Sequence, residues 1–231
     1  MGKVKYDFLE SLNRIARIVS GNIDSTDRMA ETIDVKVEPE IINKKFTLVV
    51  AKIDFNFSDK DSEYPERVFA ALLGELKEIA RGWEQCRMVT VIGNGLMALY
   101  ETTMKEDVDD IINMVGNMIG IADVVDYQFR AVKKNRVKME ISINYGPICL
   151  LNYGDPRCNI IADDELIEEN ELQFTRSTHN VVISSTIFNN IKEEYKGFFK
   201  GGNGFTGEPY SGSIINTGMA KWLENQEKKG G

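Results

Sequence analysis

Basic residues are the minority charge in this chain: 28 Lys and Arg stand against 36 Asp and Glu, a net charge of −8. Proteins that track a nucleic-acid backbone need dense Lys and Arg to displace its counterions, so no nucleic-acid partner is expected. A nucleotide is not excluded in the same way, because bound divalent metal can screen its phosphates. Histidine is nearly absent. His179 stands alone without metal-like spacing around it, and reads as a surface or helix-end residue. Cys86, Cys149 and Cys158 also lack metal-like spacing and leave an odd thiol, which fits reduced cysteines and a cytoplasmic location. No signal peptide is visible, and no apolar run approaches the ~20 residues of a membrane span, so no membrane association is expected. What is present is ordinary for a globular protein. Hydrophobic residues make up 42% and charged residues 28% of 231, enough for one substantial core or one domain with a terminal extension.

Hydrophobic spacing orders the chain. Val4–Val19 carries Phe8, Leu9, Leu12, Ile15, Ala16 and Val19 at helical intervals. Ser20–Lys45 is polar and irregular and reads as an extended connection, so residues 1–45 form an N-terminal helix and connection ahead of a domain over 46–231. Phe46–Asp54 is nearly continuous in β-branched and apolar residues, as a covered central strand requires. Pro65 opens a helix whose buried stripe is Val68, Phe69, Leu72, Leu73, Leu76, Ile79 and Ala80, with Gly82 as its stop. Cys86–Glu101 reads as two short strands folded back at Gly93-Asn94-Gly95, where an Asn-Gly pair predicts a type I′ turn. A second helix is expected over Asp107–Ile121, then an alternating strand over Val137–Tyr145, and after Gly146-Pro147 another apolar run, Ile148–Leu151. A more polar helix over Glu165–Ser177, a short strand at Val181–Ser184, a Gly-rich loop over Gly201–Gly212 and a surface helix over Met219–Lys229 complete the reading. The element order implies an α+β fold: one antiparallel sheet with flanking helices.

Two polar groups stand out on this plan. Asp54 ends the first strand, and Asn94 tips the hairpin, so one sheet can hold them side by side. With both placed, the chain resembles a class III nucleotidyl cyclase catalytic domain over roughly Thr47–Asn216. Lys52-Ile53-Asp54-Phe55 resembles the family's first metal-binding strand. Val91-Ile92-Gly93-Asn94-Gly95-Leu96-Met97-Ala98 resembles its Ile-Gly-Asp motif, and Ile141–Gly146-Pro147 the strand preceding its dimerisation arm. The resemblance implies a ferredoxin-like antiparallel sheet and two divalent ions, Mg²⁺ or Mn²⁺, held by two Asp carboxylates. Those ions polarise a 3′-hydroxyl for attack on the α-phosphate and neutralise the leaving pyrophosphate. Asp54, Phe55 and Asn94 occupy the matching metal positions. Asn94 is a departure, because an amide stands where the second carboxylate belongs. Either turnover or a silent nucleotide-binding fold is compatible with it.

The substrate positions depart as well. Phe57 and Ser58 resemble the family's phosphate-contacting Phe-Thr, with one residue fewer in the loop. Thr90 occupies the position where adenylate cyclases carry Lys and guanylate cyclases Glu, and the second base-reading position falls near Asn159. Neither purine pattern is present. Arg157 and Lys200 are candidate polyphosphate contacts, while Asp59, Asp61, Asp163 and Asp164 read as solvated loop acids. A cyclase domain with the purine readers missing is most similar to the bacterial pyrimidine cyclases of anti-phage signalling. That resemblance implies a homodimer with sites at its interface, UTP in preference to CTP as substrate with a purine (adenylate) cyclase as an alternative, and a separate effector reached through the cyclic nucleotide.

Overall fold

The computed structural model describes residues 6–19, 40–56, 64–130, 136–152, 159–162, 179–201 and 209–230. Two long strands, β1 (Glu40–Asn56) and β4 (Arg136–Asn152), form its axis. They run antiparallel from Glu40↔Asn152 to Asn56↔Arg136. On one side of β1 lies the hairpin of β2 (Cys86–Ile92) and β3 (Gly95–Tyr100). Beyond β4 come β6 (Val181–Ile183), β8 (Tyr210–Gly212) and β7 (Phe199–Gly201), giving the order β2-β3-β1-β4-β6-β8-β7. β5 (Asn159–Ala162) pairs with the far end of β4. The sheet is antiparallel except for β4 and β6, which run parallel.

Side-chain alternation sorts this sheet into two unlike faces. Val49, Ala51 and Ile53 of β1, Leu96, Ala98 and Tyr100 of β3, and Val137, Met139, Ile141 and Ile143 of β4 all enter one large core. The helices cover that face: α1 (Phe8–Val19), α2 (Tyr64–Arg81) and α3 (Lys105–Arg130). Burying residues such as Leu72, Leu76 and Ile112 contributes on the order of 2 kcal/mol each. Tyr100, also fully buried, donates its hydroxyl to the Ala80 carbonyl at 3.0 Å and ties β3 to the end of α2. The other face carries only a small apolar cluster of Phe46, Leu48, Met88, Leu99 and Ile148. Among the described residues of the last third are two short helices, α4 (Ser185–Asn190) and α5 (Glu193–Lys196), and the longer α6 (Thr217–Gly230).

Several boundaries differ from the sequence reading for definite reasons. The two expected strands on either side of Gly146-Pro147 are one strand, β4. Pro147 pairs with Lys45 on β1 and lies between the part of β4 that pairs with β6 and the part that pairs with β5. A proline with a neighbour on one side only costs the ladder little. β1 begins at Glu40, inside the expected connection. Helix α3 continues to Arg130, past the expected end at Ile121, and keeps burying Val124, Val125 and Phe129. The helix expected over 165–177 falls outside the described residues, as does 202–208 between β7 and β8.

The inward stripe of α1 is Ser11, Ile15 and Ile18, while Leu9 and Ala16 are exposed. A buried acid explains the polar member. Glu75 of α2 is fully buried, and its carboxylate accepts Arg14 Nε at 3.1 Å and Arg14 Nη2 at 2.9 Å. Ser11 Oγ and the Tyr6 hydroxyl also donate to it. Burial and the adjacent carboxylate raise the Tyr6 phenol above its ordinary value, and the Glu75 hydrogen bonds raise the Arg14 guanidinium. A buried charge satisfied from three residues fixes α1 on α2.

Candidate active site

The site is built where β1 ends beside the β2–β3 hairpin. Odd-numbered residues of β1 face the helices, so Lys52 and Asp54 lie on the opposite face, and both are exposed. Ile92 pairs with Gly95, which makes Gly93 and Asn94 the two turn residues. Gly93 has φ +51 and Asn94 has no positive φ, the pattern of a type II′ turn with Gly first rather than the expected type I′. Gly95 serves a different need. A Cβ there would come within 2.0 Å of the Ala51 carbonyl oxygen, so only glycine lets the hairpin lie this close to β1.

That approach knits Asn94 to the residue preceding Asp54. Ile53 N–H donates to the Asn94 carbonyl at 3.1 Å, and Asn94 Nδ2 donates to the Ile53 carbonyl at 2.5 Å. The Asn94 side-chain nitrogen is therefore a stitch between hairpin and strand. The carboxylate of Asp54, by contrast, has no hydrogen bond or ion pair with any described residue.

The partner strand completes the surface. Asp54 pairs with Lys138 and Lys52 with Glu140 on β4. Lys138 is exposed and Glu140 half-buried, while Val137 and Met139 turn to the core. Cross-strand pairs set Cβ atoms about 5 Å apart, and next-but-one residues along a strand lie about 7 Å apart. Lys52, Asp54, Lys138 and Glu140 thus occupy four corners of alternating charge. Sequence reasoning missed three of these four. Their signal was the polar alternate positions of two apolar strands, visible only once the register is known.

The remaining expected positions separate widely. Thr90 lies on β2, half-buried, in a row that runs Thr90–Met97–Val50–Ser142–Val182–Ser211–Lys200 across the sheet. Lys200, exposed on β7, is four strand spacings from β1, about 19 Å. Phe55 is paired with Val137 in β1, and Asn159 opens β5 opposite Leu151. Phe57, Ser58 and Arg157 lie outside the described residues, as do Asp59, Asp61, Asp163 and Asp164. His179 is exposed just before β6. Burial pushes the Cys86 thiol up to about 11, which makes it a poor nucleophile.

A two-ion metal centre does not fit the donors described here. Such a centre draws on clustered hard carboxylate oxygens. Beside the hairpin the described residues supply two carboxylates, Asp54 and Glu140, on one diagonal, two lysines on the other, and an amide whose nitrogen is engaged. No group of three His, Cys, Asp or Glu side chains among the described residues is arranged to hold an ion. No described helix is long and apolar enough to cross a membrane.

Comparison with known proteins gives a consistent result for the fold. No family model matches the sequence, and no curated protein matches it. Solved structures do. The adenylyl cyclase CyaB from P. aeruginosa superposes with a TM-score of 0.58 at 16% identity, over 77% of this chain and 97% of that one. The guanylyl cyclase Cya2 gives 0.57 at 15% identity, over 76% and 95%. The guanylate cyclase domain of RhGC from Catenaria anguillulae, solved in complex with GTP, gives 0.53 at 16% identity, over 76% and 100%. A sheet with its helices stacked on one face, in this strand order, is the fold this chain shares with these class III nucleotidyl cyclase domains.

Proposed function

We propose that the protein is a nucleotidyl cyclase that converts a pyrimidine nucleoside triphosphate, UTP or CTP, to its 3′,5′-cyclic monophosphate and pyrophosphate. The observation that carries this reading is Asp54: an exposed carboxylate without a partner among the described residues, at the end of a core strand, against a hairpin tip held by Asn94. In the reaction the 3′-oxygen forms a bond to the α-phosphorus as the bond to the pyrophosphate oxygen breaks. The 3′-hydroxyl proton must leave as the oxygen attacks. The role proposed for Asp54 is general base: its carboxylate takes the 3′-hydroxyl proton as the ring closes.

The pyrimidine preference rests on Thr90. A short uncharged side chain there offers neither the Lys nor the Glu of the purine-selective pattern, and a hydrogen-bonding edge discriminates strongly between bases. Sites shared between two chains would reconcile the distances with the roles given to Asp54 and Lys200. Asp54 and Lys200 of one chain are too far apart to meet one nucleotide, whereas a two-fold homodimer can bring them together from opposite chains. Cytoplasmic second-messenger synthesis in anti-phage defence, acting through a separate effector, is the setting in which such a domain would work.

Incubating the protein with each of the four nucleoside triphosphates, with Mn²⁺, Mg²⁺ or EDTA, and detecting cyclic product and pyrophosphate tests the reading. A single cyclic pyrimidine product is expected. Product from ATP or GTP would overturn the role given to Thr90. Nucleotide binding without product supports a second reading, a silent nucleotide-binding dimer, which the Asn94 amide favours directly: its nitrogen is committed to Ile53.

A further inference from the structure

The four charged corners beside the hairpin have an arrangement that a metal-dominated site does not need. Lys52 and Asp54 are two residues apart on β1, facing away from the helices, with Glu140 and Lys138 directly opposite on β4. The lysines sit on one diagonal, their Cβ atoms about 8 Å apart by strand geometry. Both are exposed, and neither makes a hydrogen bond or ion pair with any described residue, including the acids facing them. Lys52 also pairs with Gly95 of the hairpin, so its side chain rises beside the Asn94 turn.

Formal charge at the four corners sums to zero, with a neutral amide at the tip. A site meant to gather two divalent cations would show a surplus of carboxylate. Among the described residues the charge is balanced, and two exposed ammonium groups can meet an anion directly, as lysine does with phosphate.

We propose that Lys52 and Lys138 are substrate-binding residues that clamp the polyphosphate of the nucleotide, supplying charge that the position of Asn94 does not attract through metal. The proposal rests on the cyclase reading for the identity of the substrate, but the clamp itself recognises polyphosphate whatever base is attached. Asp54, between the two ammonium groups, is left for the 3′-hydroxyl end. Glu140 limits how strongly Lys52 holds the leaving group.

The test is calorimetric titration of the full chain with inorganic tripolyphosphate and with UTP, first in EDTA and then with Mn²⁺. Both ligands are expected to bind in EDTA. Lys52→Ala and Lys138→Ala should each weaken both by about 10-fold, the scale of one charged hydrogen bond. Lys52→Arg and Lys138→Arg should stay within a few-fold of the parent, and Glu140→Gln should bind more tightly. Unchanged melting temperatures of these surface variants exclude misfolding as the cause. The clamp is overturned if either alanine variant leaves tripolyphosphate affinity in EDTA unchanged, or if binding appears only with Mn²⁺. UTP binding that survives both substitutions sinks the clamp and leaves the cyclase reading standing. Absence of binding by all four nucleoside triphosphates, with and without metal, sinks both.

Discussion

Two carboxylates on opposite sides of the sheet differ in their neighbours, and the neighbours decide what each is free to do. Glu75 is fully buried in the helix layer and receives Arg14, Ser11 and Tyr6. Asp54 is exposed on the other face and receives nothing from the described residues. A buried ion survives only when its lone pairs are filled, so Glu75 has no capacity left for a ligand. An exposed carboxylate needs no partner for stability, so Asp54 keeps all of its capacity for one. The contrast separates anchoring from reacting more clearly than residue type does.

Breaking the anchored carboxylate should have the largest effect. Glu75→Ala removes one side of a buried charge pair and leaves Ser11, Tyr6 and Arg14, which is 19% exposed and keeps its pair with Glu10, without their shared acceptor. A loss of about 3 kcal/mol in urea-unfolding free energy is expected, on the scale of broken buried pairs. Glu75→Gln, which still accepts from Ser11 and Tyr6, should lose roughly half of that. A loss under about 1 kcal/mol for Glu75→Ala would mean that α1 is held by packing alone.

The carboxylate proposed to react should behave in the opposite way. Asp54→Ala is expected to leave the urea midpoint within experimental error, since no described contact is removed. Cyclic product formation should fall about 10²-fold or more, the scale for removing one electrostatic group from a reaction centre. Equal activity in parent and variant would remove Asp54 from the chemistry. A large stability loss would instead make it a structural acid like Glu75.

Asn94 lies between these extremes. Its amide donates to Ile53, so Asn94→Asp exchanges a donor for a charge that faces a carbonyl oxygen. Stability should fall by about 1 kcal/mol. The same change adds a second carboxylate at the hairpin tip, and cyclase activity should rise, by roughly 10²-fold, with less Mg²⁺ or Mn²⁺ required. Measuring melting and turnover on one preparation checks both signs. A stability loss with no gain in turnover or change in metal dependence would make Asn94 a turn residue only.

What the sequence made legible tracks how local the physics is. Strand β1 was visible because Phe46–Asp54 is β-branched and apolar, and α2 because Pro65 and a helical stripe agree. The end of α3 was hidden because Asp126 interrupts the apolar pattern, yet it is buried, accepting the Val137 N–H at 2.7 Å. A tertiary hydrogen bond licensed an acid that periodicity could not. The hairpin was legible but its turn was shifted by one residue, because Gly95 serves the close approach to Ala51 rather than a positive φ. Asp54 and Asn94 could be paired from the order of elements. Lys52, Lys138 and Glu140 could not, since only the β1–β4 register brings them to Asp54.

The smallest expected effect belongs to Asp107, a carboxylate intermediate between the two extremes, and it can be read through pH. It sits in the first turn of α3, nearly buried, and its Oδ2 accepts the N–H groups of Thr103 and Met104, each at 2.9 Å. Gln85 donates to Oδ1 at 2.9 Å. This is half of a capping box, an acid reaching back to donors that the helix leaves unpaired. Burial pushes the Asp107 carboxyl up, but the Met104, Thr103 and Gln85 hydrogen bonds together outweigh it and hold the group below its ordinary 3.8. The folded value therefore lies below the unfolded one, so the stabilisation is complete above about pH 4 and is lost as pH falls through the folded value. Asp107→Asn should cost about 1 kcal/mol at pH 6. The gap between parent and variant should stay constant down to about pH 4 and close below it. A gap that persists at pH 2 would assign the stabilisation to hydrogen-bond geometry, with the charge contributing nothing.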